Sequence, residues 1–241
     1  STAREIYDIC NEKLQQPEFS ARGLMRHYHV ECVCTTDDPV DDLHWHKVTR
    51  ESGFEIKMLP AWRPDKAMNI EHPDFSAYME LLSEVSGIEI DSYQHLIDAL
   101  QRRHDFFHEN GCRLSDHGVE EFYCEPYTSS QSETIFSNGW RGLRLSTLEV
   151  HQYKHAFLKD CGEMDYDAGW TQQYHYGAIR NNNTCMYEQL GPDTGFDSIG
   201  EFSTAKALSC FLDELNTEHK LGRTILYCLN PAANEMIATM L

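Results

Sequence analysis

Two apolar rhythms alternate along this 241-residue chain, a short β-rich run and then a helical stripe. Ile6, Cys10 and Leu14 fall at helical spacing and predict a helix from Ala3 to Leu14. Val30-Glu-Cys-Val-Cys-Thr-Thr36 reads as a strand that ends in Asp37-Asp38-Pro39, and a helix follows from Leu43 to Arg50. Phe54 to Leu59 alternates toward Pro60-Ala-Trp-Arg-Pro-Asp-Lys66, and helices are expected across Phe75 to Val85 and Ser92 to Glu109. In the second of these Tyr93, Leu96, Ile97, Leu100 and Phe107 share a face, with Asn110-Gly111 as the C-cap. Cys112 to Ser115 is a short third strand ending in Asp116-His117-Gly118. Ser146-x-x-Glu149 is a capping box that opens a helix to Cys161. Trp170 to Tyr176 is the next strand, and Leu208, Phe211, Leu212 and Leu215 mark a further helix before a strand at Thr224 to Leu229. Only Glu121 to Arg144 shows no clear period, which makes the stretch near 121–145 the expected variable insertion or loop.

Five strands separated by helices imply right-handed crossovers and a parallel sheet, in which ligands bind at the carboxyl ends of the strands. All five ends carry polar chemistry: Asp37 and Asp38; Arg63 with Asp65 and Lys66; Asp116 with His117; His175 through Asn183; and Asn230. That repetition favours a (β/α) barrel with its site at the mouth. No G-x-G-x-x-G or Walker sequence supports a nucleotide cradle.

The most informative stretch is Trp170-Thr-Gln-Gln-Tyr-His-Tyr-Gly-Ala-Ile-Arg-Asn-Asn-Asn-Thr184. There a β-rich segment reaches Gly177, a residue that permits a bend, and passes into Arg180 and three asparagines. His175 follows Gln173 at strand spacing, so both face one side, and His175 is a candidate ligand, hydrogen-bond donor or proton carrier. Arg63 lies in Trp62-Arg63-Pro64-Asp65-Lys66, where Pro64 stiffens the turn and Trp62 can pack beneath it. A guanidinium held this way suits bidentate capture of a carboxylate; the alternative is a structural Arg63–Asp65 pair. Asp116 and His117 read as an acid/base pair, as metal ligands or as a plain turn, with at most one entering the pocket while extended. Asp37-Asp38 suits a metal or an ordinary turn before Pro39, and Lys66 a loop cap. His44-Trp45-His46 lies in a helical segment, where residues two apart diverge by about 200°, and is rejected as a metal pair.

Composition narrows the partners. Hydrophobic residues make up 41% and charged residues 24%, as in a folded globular protein, and no run of apolar residues is long enough for a membrane helix. A net charge of −19 argues against nucleic acid but leaves an acidic small molecule open, because one or two arginines can make a pocket locally positive. The nine cysteines are scattered without a C-x-x-C pair, so no disulfide framework is expected; Cys32 and Cys34 read as small core residues, and reduced thiols fit a cytoplasmic protein. The first residues start inside a helix without Met and have no signal-peptide pattern, and the last run inside another, so both ends read as cut.

Phe19 to Met25, Cys34 to Val40, Leu59 to Ile70, Gly111 to Gly118, the run to Asn183, Leu190 to Ile199 and Thr224 to Pro231 together closely resemble the uronate (glucuronate) isomerase family. The resemblance implies an amidohydrolase-superfamily fold and aldose–ketose isomerisation of D-glucuronate to D-fructuronate and of D-galacturonate to D-tagaturonate. It further implies that the chain is an internal fragment: a single incomplete domain, 1–241, forming a partial (β/α)8 TIM-type barrel with about five parallel strands, the first and last absent. In the family an H-x-H metal pair lies on the first strand and an Asp followed closely by an Arg on the eighth, and neither element can be placed in this chain. The catalytic groups and a divalent metal such as zinc are therefore expected in the flanks, none held by this fragment, which is expected to be inactive. Arg63 is the expected clamp for the distal carboxylate; His175 and Arg180 are expected to contact substrate, and Asp116 or His117 to support the pocket. The expected partners are a uronate and a second copy covering the open sheet edges, with no nucleic acid and no membrane. A metal-dependent hydrolase of the same superfamily and a non-catalytic truncated scaffold are the rival readings.

Overall fold

The computed structural model describes residues 2–202 and 204–240. They form two compact units, residues 1–35 with 43–60, and residues 36–42 with 61–241.

The first unit contains α1 (Ala3–Leu14), α2 (Ala21–His27), β1 (Cys32–Cys34), α3 (His44–Glu51) and β2 (Lys57–Leu59). Helix α1 has the bounds its apolar spacing predicts, and a Thr2–Glu5 capping box starts it. Strands β1 and β2 are parallel, with Val33 opposite Met58. Cys32 and Cys34 do share a face, but it is exposed and only Val33 is half-buried, which corrects their reading as core residues. The strand is three residues long with one pairing partner, too little sheet to enclose both faces. On α3 the side chains diverge as helical geometry demands, His46 being buried and His44 exposed.

The larger unit continues with α4 (Asp65–Met68), α5 (Phe75–Ser86), α6 (Tyr93–Glu109), β3 (His117–Val119), α7 (Ser129–Trp140), α8 (Thr147–Asp167) and β4 (Thr171–Tyr176). Beyond these lie β5 (Ala178–Ile179), α9 (Thr184–Leu190), β6 (Ser198–Ile199), α10 (Thr204–Thr217), β7 (Arg223–Cys228) and α11 (Asn234–Ala238). The expected terminal helix thus begins after a short 3-10 turn at Pro231–Ala233, and Leu241 lies outside the described residues. Parallel contacts join Asp37 to Trp62, Trp62 to Ser115, Leu114 to Thr171 and Thr171 to Arg223, so within this unit successive segments are neighbours in chain order. Strands β3, β4 and β7 form a parallel sheet in that order, and among the described residues β7 pairs on one side only.

The backbone of the third strand runs past Ser115, its expected end, into β3 at His117–Val119. The stretch expected to be a loop holds α7, whose Thr128–Gln131 capping box fixes its start and whose Ile135 and Phe136 are buried. Helix α8 begins at its predicted capping box but runs to Asp167, beyond Cys161. Gly162 does not interrupt it: a side chain there would meet Leu215 Cδ1 at 3.0 Å and Gln172 Oε1 at 3.2 Å, so glycine lets the helix approach both α10 and β4.

The core lies where helices cover this sheet. Phe75, Tyr93, Phe136, Tyr153 and Phe157 interlock edge to face or stacked among α5 to α8. Phe122, Tyr174, Tyr176 and Phe211 do the same between the sheet and α10. Cys124 and Cys210 are joined by a disulfide where no framework was expected. Among the described residues no helix is long and apolar enough to cross a membrane.

Candidate functional site

Strand β4 has two chemically different faces, because successive side chains alternate. Gln172, Tyr174 and Tyr176 are buried against the helices, while Thr171, Gln173 and His175 are half-buried on the opposite face. Gly118 of β3 pairs with His175, so Asp116, two residues earlier, shares the His175 face. Gly177 follows with φ +95°, the bend its position predicts.

Arg63 reaches this face from the loop before α4. Its Nη2 donates to Asp116 Oδ2 at 2.5 Å and its Nε to the Asp116 carbonyl at 3.3 Å, so one residue fixes the Nε–Nη2 edge of the guanidinium. The expected alternative partner, Asp65, also pairs with Arg63, Nε to Oδ2 at 3.8 Å, a looser ion pair than the one to Asp116. His175 Nε2 lies against Asp116 Oδ1 and 2.5 Å from Arg63 Nη2; it donates to the carboxylate or accepts from the guanidinium, and cannot do both. Thr36 Oγ1 donates to Asp116 Oδ2 at 3.1 Å. Burial pushes the Asp116 carboxyl up, but the His175 hydrogen bond, the charge of Arg63 and the Thr36 bond outweigh it and hold the carboxyl below its ordinary value. Trp62, fully buried edge-on against His104, anchors the loop from below.

His117 is on the other face. It is fully buried, stacks on Tyr174 with ring centroids 5.1 Å apart, and its Nδ1 lies 3.2 Å from Asp65 Oδ1. Asp65 Oδ2 also accepts from the Gly118 amide at 2.8 Å, so His117 and Asp65 brace the β3 backbone that presents Asp116. Asp116 and His117 thus point apart, as extended backbone requires. Asp38 makes the turn its place before Pro39 predicts, accepting from the Val40 amide, and also takes Tyr78 and Lys66.

Arg180 is not in the Arg63 network. It sits on the hairpin of β5 and β6, where Nη1 donates to Asp197 Oδ2 at 2.6 Å and Asp197 Oδ1 accepts from the Asn181 amide. His175 and Arg180 do line one cleft of about 400 Å³, with Val119, Tyr176, Ser198 and Leu229. Thr36 and Asp197 escaped the sequence reading, and Asp65 was read only as a partner of Arg63, not as the brace of His117 and the Gly118 amide. Thr36 and Asp197 meet their partners only through tertiary structure.

The Asp116 corner does not suit a divalent cation. Both carboxylate oxygens are engaged, and a fixed guanidinium already occupies the place of the positive charge. His117 Nε2 is buried without a hydrogen-bond partner, yet it faces the packed side of the sheet. What the corner can do is hold an anion. Among the described residues Arg63 Nη1 has no partner, and the side chain is 32% exposed.

An α/β protein with parallel sheets, flanking helices and an arginine braced at the strand ends is the class that fold and site define. Compared with known proteins, all of residues 1–241 match the glucuronate isomerase family. Curated uronate isomerases of Phocaeicola vulgatus and Bacteroides thetaiotaomicron are each 66% identical over 241 residues, 100% of this chain and 52% of theirs. The crystal structure of uronate isomerase from Thermotoga maritima superposes with a TM-score of 0.91 at 33% identity, covering 99% of this chain and 52% of that one. The chain belongs to the glucuronate isomerase family. It spans about half the length of the curated relatives it matches.

Proposed function

We propose that the full-length protein is a uronate isomerase that interconverts D-glucuronate with D-fructuronate and D-galacturonate with D-tagaturonate. In this reading the present stretch supplies the second to sixth strands of one (β/α)8 barrel. The succession of parallel neighbours from Asp37 to Arg223 supports that order, and the unpaired side of β7 is where a following strand adds.

The reaction moves a proton between C2 and C1 through an enediol, and it requires the sugar to be held at its far end while the proton moves. Arg63 is that holder. The observation carrying the assignment is the half-engaged fork: Nε and Nη2 are spent on Asp116, which fixes the plane of the guanidinium, while Nη1 is left for a carboxylate. Asp116 and Thr36 position the arginine and do not touch the sugar. His175 and Arg180, on one cleft, contact hydroxyls or the carboxylate from the β4 side. Proton transfer and any catalytic metal belong to segments outside this chain, so the 241 residues alone do not turn over uronates.

The test is a coupled assay of the full-length gene product on both uronates, with amides and lactones in parallel. Turnover of a uronate, and a rise in KM of about 10- to 100-fold for Arg63→Met through loss of a charged hydrogen bond, support the assignment. Hydrolysis of amides or lactones without uronate turnover overturns it in favour of a hydrolase. Turnover of none of these substrates favours the scaffold.

A further inference from the structure

Cys124 follows β3, whereas Cys210 and Glu214 lie one turn apart on a single face of α10. The two sulfurs and a Glu214 carboxylate oxygen all lie within 4.8 Å of one another, and all three residues are half-buried. The two Cα atoms are 6.1 Å apart.

Glu214 is held by a buried histidine. His155 Nδ1 lies 3.0 Å from the Glu125 carbonyl, which can only accept, so Nδ1 carries a proton. His155 Nε2 lies 2.9 Å from Glu214 Oε2, where a second proton sits on the ring or on the carboxyl, and Oε1 is turned to the sulfurs, 3.9 Å from Cys210 Sγ. A ligating carboxylate oriented by a second residue is how built metal sites are organised. The same imidazole ties down the residue next to Cys124.

When the sulfurs are reduced and ionised, this arrangement sets two thiolates against each other beside the Glu214 carboxyl, and neighbouring like charges disfavour one another. Two events relieve that: a bond between the sulfurs, as seen here, or a divalent ion among them. Two thiolates with one carboxylate select a zinc-class ion over the oxygen-seeking magnesium and calcium, and leave a fourth tetrahedral position open. We propose that Cys124, Cys210 and Glu214 form a zinc-class metal site, open when the two sulfurs are reduced and closed when they are joined. Opening takes two electrons and two protons from a small dithiol, which itself becomes a disulfide while both cysteines become thiols. Metal binding then displaces the two thiol protons to solvent. The proposal stands independently of the isomerase reading.

The test uses the purified protein, chelator-stripped, reduced with dithiothreitol and desalted under nitrogen, with Co2+ as the spectroscopic probe. The expected result is thiolate-to-cobalt charge-transfer absorption saturating at one equivalent, bleached by Zn2+, absent from the oxidised protein and lost in C124S and C210S. His155→Gln is expected to weaken binding by about 10- to 100-fold without removing a ligand. No such absorption in the reduced protein, or absorption unchanged in both serine variants, overturns the proposal. Should those variants misfold, differential alkylation of the wild-type protein decides: Zn2+ shields Cys124 and Cys210 from iodoacetamide while the exposed Cys10 and Cys185 still react. Equal labelling of Cys124 and Cys210 with and without Zn2+ overturns it as well.

Discussion

Arg63 and Arg180 face the same chemistry from different ground. Both are bound to an aspartate at hydrogen-bond distance, 2.5 Å for Arg63 to Asp116 and 2.6 Å for Arg180 to Asp197. The Asp116 side chain is 12% exposed and shared among a guanidinium, an imidazole and a hydroxyl, whereas Asp197 is 32% exposed on a hairpin tip. An ion pair in a half-closed, multiply bonded corner defines a position; the same pair in water mainly shapes a loop. Two arginines that look equivalent in sequence thus differ in how firmly each can hold a carboxylate.

The sharpest way to break that contrast is to remove each aspartate. Asp116→Ala leaves Arg63 in its corner without a counter-charge and frees His175 and Thr36, and it is expected to cost about 2–4 kcal/mol. Urea unfolding measures it, and a loss below that of the hairpin pair would show that the two corners are alike. Asp65→Ala comes next, at about 1–2 kcal/mol, because the Gly118 amide and His117 Nδ1 both lose their acceptor inside the structure.

Acid sharpens the comparison further. Asp116 ionises more easily folded than unfolded, so its contribution is complete above its ordinary value near 3.8 and is lost as pH falls below that. Asp160, beneath Tyr93, has the opposite sign: burial raises it to about 6, so its contribution is present below about 3.8 and disappears as pH rises through 6. Subtracting the stability of Asp116→Asn from wild type should therefore give a difference that shrinks below pH 4. The same subtraction for Asp160→Asn should fall between pH 4 and 6. Unfolding curves across pH 3 to 7 check both, and differences of the same sign would refute the assignment of causes.

How much of this could be read beforehand follows from the range of each interaction. The helix start at Thr147 was legible because its capping box is local, within three residues, and α1 and α6 because their apolar spacing repeats along one face. Helix α7 was missed although Thr128-x-x-Gln131 marks its start, because Ser, Asn and Gly obscure the apolar period. The β5–β6 hairpin gave no signal, being two strands of two residues joined across the whole of α9. At the site, Arg63 and His175 were readable as residue types at strand ends. That Asp116, 53 residues from Arg63 and 59 from His175, would fasten them together was not, since only the parallel register brings the three side chains to one face.

The smallest effect is the most discriminating for Arg180. Asp197→Asn should cost about 0.2–1 kcal/mol, because the pair is solvated and screened, and the loss should vanish in high salt. Removing Asp197 also frees Arg180 on the rim of the cleft that His175 lines. If Arg180 contacts the uronate directly, Asp197→Asn in the full-length enzyme should leave KM unchanged or lower it, since the guanidinium no longer divides its hydrogen bonds. If Arg180 only braces the hairpin, the same change should raise KM and kcat/KM should fall with it. Salt-dependent stability together with KM therefore separates the two roles without touching either arginine.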